Sequence, residues 1–114
     1  MADAIERRAA RPDADLACDF IIARDLAQSG FREQLARGIV WPVRVLPNGV
    51  EVTFASDSWD AVVRYVEVES ECCPFLDLAA RRTADSVVLS VTGRTDAQEF
   101  IANIFVRADG AGCC

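Results

Sequence analysis

Two cysteines stand side by side in E-S-E-C-C-P-F-L-D-L, residues 69–78, and two more close the chain in G-A-G-C-C. A fifth, Cys18, lies in the apolar stretch D-L-A-C-D-F-I-I. Thiolates prefer soft metals. Hg(II) is satisfied by two of them and As(III) by three, and Cu(I) shares the preference. Cys72 and Cys73 are the principal candidate ligands, with Cys18 as the third. Cys113 and Cys114 would act as a mobile capture or transfer arm. Glu69 lies three residues before Cys72, one helical turn away on about the same face. It offers a hard ligand or a proton acceptor, against the plainer reading of an exposed helical glutamate.

Other cysteine chemistries fit the spacing less well. The chain has no His and no C-x-x-C. A Zn(II) site would therefore need Cys18, Cys72, Cys73 and Glu69 together. Iron–sulfur clusters need four spaced cysteines, and a thioredoxin-like centre needs the C-x-x-C. Each cysteine taken alone also reads as a small buried hydrophobe. The terminal pair also reads as noise on a disordered tail.

The surroundings of Cys72 and Cys73 bear on which chemistry is open to them. They fall at the C-terminal end of a predicted helix, where the dipole disfavours negative charge. Glu67, Glu69 and Glu71 add to that. A fast nucleophilic thiolate wants the opposite field. A soft cation brings its own charge and displaces the thiol proton.

Composition narrows the class further. A net charge of −6 with no Lys/Arg stripe argues against nucleic acid. No apolar run approaches the roughly 20 residues that span a bilayer. The first residues, M-A-D-A-I-E-R-R-A-A-R, lack the apolar core of a secretory signal. The expectation is a cytoplasmic protein whose cysteines stay thiols. Neighbouring Cα atoms, about 3.8 Å apart, also sit below the disulfide range of about 4.4–6.8 Å. Five cysteines cannot all pair within one chain.

The 114 residues suit one domain. Residues 1–14 are Ala/Arg/Asp-rich and predict a disordered arm, 15–106 a single α+β domain, and 107–114 a flexible Cys-Cys tail. Ala23 to Arg37 favours a leading helix, weakened at Ser29–Gly30 and stopped at Gly38. In W-P-V-R-V-L-P-N-G-V-E-V-T-F, Asn48-Gly49 is the type I′ hairpin pair. That turn would set Val45 opposite Val52 and Val43 opposite Phe54.

Trp59, Val62, Val63 and Val66 recur at helical spacing behind a cap at Asp57 or Ser58, and Pro74 ends the helix near Cys72. Leu76, Leu78 and Ala80 alternate through one strand, and Val87, Leu89 and Val91 through the next. Thr95 and Gln98 form a capping box before the stripe Ala97, Phe100, Ile101, Ile104 and Phe105. The order β-β-α-β-β-α, with the leading helix, predicts an antiparallel four-stranded sheet with its helices on one face.

A-D-L-A-C-D-F, the L-P-N-G hairpin, E-x-x-C-C-P-F-L and the late L-S-V-T-G together resemble a family of small uncharacterised bacterial proteins. The likeness runs from about Asp15 to Phe105. It is most specific at Cys18, Glu69, Cys72, Cys73, Pro74 and Phe75. The family often has T-G-P where this chain has T-G-R, Thr92–Arg94. The resemblance strengthens the cysteine set without naming its chemistry. Separately, Cys113–Cys114 is similar to the C-terminal cysteine pair of mercuric reductase, which receives Hg(II). Nothing else here resembles that enzyme, and no G-x-G-x-x-G is present.

Three readings follow. The first is a cytosolic soft-metal or metalloid binding or trafficking protein of heavy-metal resistance, binding Hg(II) ahead of As(III) or Cu(I). The second is a thiol enzyme. It would be either a redox protein, with Cys72 attacking and Cys18 or Cys73 resolving, or an organometal-cleaving one with Glu69 or Asp77 as acid. The third is an interaction module, such as a homodimer joined at a sheet edge, with inert cysteines.

Overall fold

The computed structural model describes residues 4–11, 13–16 and 30–103. The elements run β1 (Ala4–Arg8), α1 (Phe31–Arg37), β2 (Arg44–Leu46), β3 (Gly49–Ala55), α2 (Trp59–Cys72), β4 (Leu76–Arg82), β5 (Ser86–Gly93) and α3 (Gln98–Asn103). Short 3-10 turns precede α2 and α3.

The class is α+β and the strands pair antiparallel, but the sheet has five strands rather than four, in the order β1-β4-β5-β3-β2. The extra strand comes from the N-terminal arm expected to be disordered. Residues 4–8 pair with β4, from Ala4 opposite Arg82 to Arg8 opposite Leu78. Its A-I-E-R-R has no apolar alternation to betray it, and Ile5 is 69% exposed. The backbone ladder holds such a strand. Its charges suit an edge that must not pair with other chains.

Alternation within β3, β4 and β5 decides the core. Val50, Val52 and Phe54, then Leu76, Leu78 and Ala80, then Val87, Leu89 and Val91 are all buried. The helices lie on that face, with α2 over β4 and β1 and α3 over β3 and β5. The opposite face carries Glu51, Thr53, Asp77, Ala79, Arg81, Ser90 and Thr92, none of them fully buried.

The hairpin forms, with a different turn. Leu46 pairs with Gly49, and Val45 faces Val50 rather than Val52. The loop is Pro47–Asn48, and neither Asn48 nor Gly49 has a positive φ, so no type I′ turn is present. With Asn48-Gly49 as the loop, Pro47 would flank it in the ladder without an N–H to give. At the first turn position its fixed φ is an asset. The two-residue slip keeps Val45 on the face of Val50 and Val52, though it is 82% exposed there. Phe54 is bridged by Ile39 instead of Val43. Pro42, also without an N–H, sits where the chain leaves that ladder.

Gly49 is required by a close approach. A Cβ there would come within 2.0 Å of the Val91 carbonyl oxygen. Gly49→Ala is expected to destabilise by about 2–3 kcal/mol, since the obstacle is backbone. The shift in urea midpoint at constant slope measures it.

Two helix ends also differ from expectation. Gly30 takes φ 73, a left-handed conformation, so a helix does not run through it and α1 begins at Phe31. Residues 17–29, which hold the expected first half of that helix, lie outside the described residues. At α3, Gln98 does not close a capping box with Thr95. Its amide Nε2 donates to the carbonyls of Asn48, Gly93 and Arg94 at 3.0, 2.8 and 2.9 Å. That ties the hairpin to the corner before α3. Ile104 and Phe105, expected in the same apolar stripe, are outside the described residues.

Candidate functional site

Helix α2 presents one stripe to the core: Val62, Tyr65, Val66, Glu69 and Cys72. The spacing is that of an amphipathic helix, yet the stripe turns polar as it nears its C-terminus. Cys72 is the last helical residue, and Cys73 takes the C-cap with φ −127 and ψ 75. The helix stops there because Pro74 disfavours helical backbone at the residue before it. The Cys73 N–H donates to the Glu69 carbonyl at 2.7 Å, and the Leu76 N–H to the Cys73 carbonyl at 3.1 Å. Phe75 then seals the turn, its ring edge-on to Phe100 of α3 at 5.3 Å.

Cys72, Cys73 and Glu69 are all 0% exposed. For Glu69 this overturns the plainer reading of an exposed helical glutamate. A carboxyl withdrawn from water is expensive, and an apolar side chain would serve packing alone better. Such groups cluster at functional sites. The last turn of α2 contains no basic residue, and Glu67 and Glu71 flank it on the exposed side. The helix C-terminus and its acidic neighbours therefore set a negative field around the cysteines.

The oxidation state differs from expectation. Cys72 is disulfide-bonded, and its partner is not Cys73, which is buried and in no disulfide. Neighbouring cysteines were too close to bridge, as their Cα spacing requires. The expectation that every cysteine stays a thiol fails at Cys72. It rested on compartment and on local spacing, and neither reveals which sulfurs the fold brings within bonding range.

Of the expected ligand set, Cys72, Cys73 and Glu69 are among the described residues, all buried at the end of α2. Cys18, Cys113 and Cys114 lie outside the described residues. Among the described residues, no group of three or more Cys, Asp or Glu is placed to hold a metal ion. Asp77, considered as an acid, faces elsewhere. Its Oδ1 accepts the Ala10 N–H at 2.8 Å. Ala10 belongs to the arm, and only the arm's return across β4, which no local signal marks, shows what Asp77 does.

No family model, curated protein or solved structure matches this chain. Among the described residues, no helix is long and apolar enough to cross a membrane.

Proposed function

We propose that the protein binds a soft metal ion, Hg(II) first and Cu(I) or As(III) behind it, as a bacterial cytoplasmic binding or trafficking protein. The carrying observation is the disulfide at Cys72, fully buried at the negative end of α2. A disulfide means a second sulfur within bonding distance. Reduced by a low-molecular-weight thiol, which supplies two electrons and two protons and leaves as its own disulfide, the two sulfurs make a dithiol. That is all two-coordinate Hg(II) requires, and it binds with release of both thiol protons. The helix end and its carboxylates disfavour a bare thiolate there but favour an arriving cation. Glu69 can take up a displaced thiol proton. On this reading Cys73 is an auxiliary thiol, and the disulfide is the oxidised, ion-free form.

A second reading is favoured by the same disulfide lying one residue from the Cys73 thiol. It is thiol–disulfide exchange, with Cys73 resolving a bond made by Cys72. The field at the helix end counts against it, because exchange needs the thiolate.

Native mass spectrometry on anaerobically reduced protein separates the readings. Hg(II), As(III), Cu(I) and Zn(II) are offered together in excess small thiol. A one-to-one Hg(II) adduct that disappears in Cys72→Ser and in the oxidised protein is the expected result. Absence of any adduct that withstands the small thiol defeats the proposal. Turnover of a small disulfide by that same protein would install the exchange reading instead.

A further inference from the structure

Cys72 and Cys73 are sealed from solvent, so an ion or reagent needs a way in, and one segment of the fold is placed to provide it. Beyond Arg8 the chain leaves the β1 ladder and crosses the start of β4 and the turn after Cys73. The Ala10 N–H donates to Asp77 Oδ1 at 2.8 Å, and the Arg11 N–H to the Pro74 carbonyl, one residue from Cys73, at 2.8 Å. A tight turn follows, with the Ala14 N–H on the Arg11 carbonyl at 3.1 Å. Arg94 then donates from Nη1 to the Ala14 carbonyl at 2.7 Å, while its Nε is held by Asp96 at 3.1 Å.

None of the described residues 9–11 and 13–16 is fully buried. Ala14 alone among them packs against the core. Hydrogen bonds, two of them to charged side chains, hold this segment in place of apolar packing. Segments with few buried apolar contacts and exposed hydrogen bonds are the ones that open locally at low cost.

We infer that this N-terminal segment is a strap that gates the cysteine site, with Asp77 and Arg94 as its latches. It rests on reading Cys72 and Cys73 as functional. Opening breaks the Ala10–Asp77, Arg11–Pro74 and Ala14–Arg94 bonds together and bares the turn that carries Cys73. The β4–β5 ladder stays intact.

The test is the rate at which iodoacetamide alkylates Cys73 in the full-length, non-reduced protein, read by peptide mapping. Asp77→Ala and Arg94→Ala are each expected to speed it about fivefold, the equilibrium factor of one net hydrogen bond, and the double variant more. Asp77→Asn keeps an acceptor oxygen and is expected to match the parent. Leu89→Ala, a cavity in the middle of β5 whose ladder partners are Val52 and Ala80 and not the latches, is the control for general loosening. Unchanged rates in the latch variants, or an equal rise in Leu89→Ala, overturn the strap. Hg(II) uptake by the same variants separates the two claims. Faster alkylation without uptake keeps the strap and removes the ion, and uptake with unchanged alkylation does the reverse.

Discussion

Leu89→Ala is expected to cost about 3–5 kcal/mol, a large share of the roughly 5–15 kcal/mol that holds a domain of this size. Leu89 is 0% exposed and sits mid-strand in β5, opposite Val52 of β3 and Ala80 of β4. A cavity there opens between the sheet and the helices, where the flanking strands cannot collapse without losing their register. Val88, its neighbour on the opposite, incompletely covered face, makes the contrast. Val88→Ala is expected to cost no more than about 1 kcal/mol. Urea unfolding followed by circular dichroism and by tryptophan fluorescence gives both values. Equal losses at the two positions would contradict the single-faced core.

The second large effect concerns Glu69. Glu69→Gln keeps the volume of the side chain and removes its capacity for charge. If the carboxylate helps to draw a soft cation to Cys72, Hg(II) affinity in a fixed excess of small thiol should fall by about tenfold or more. A buried charge near a metal acts through a medium of low effective dielectric. The unfolding midpoint should move far less than in Leu89→Ala. An unchanged affinity would mean that Glu69 takes no part in ion binding.

Much of the fold was legible because local chemistry and periodicity agreed. Leu76, Leu78, Ala80 and Val87, Leu89, Val91 announced two strands and their inward face. Pro74 announced the end of α2 at Cys72. The hairpin's place is legible and its turn is not, because Asn48-Gly49 is a strong turn pair in isolation and Pro47 is a stronger constraint in a ladder. β1 was invisible for a different reason. Its pairing is made by backbone groups with a strand far along the chain, and its side chains carry no pattern. The candidate site was legible as a set of residue types around Cys72. Burial of Glu69 could have been read from its spacing, since Val62, Val66 and Glu69 fall on one helical stripe. The oxidation of Cys72 could not, because disulfide partners are chosen by tertiary proximity.

The long reach of β1 has a consequence for how the molecule assembles. Ala4 pairs with Arg82 across most of the chain. Closing so large a loop carries an entropic cost that is recovered only after β4 exists. Although β1 is synthesised before β4, it is therefore seated late. The hairpins β2–β3 and β4–β5 can form from near neighbours before β1 is seated. During that interval the end of α2 has no strap over it. Cys72 and Cys73 meet the reductants, oxidants and ions around the nascent chain before the fold encloses them. The state in which the site is sealed is thus decided during folding as well as after it.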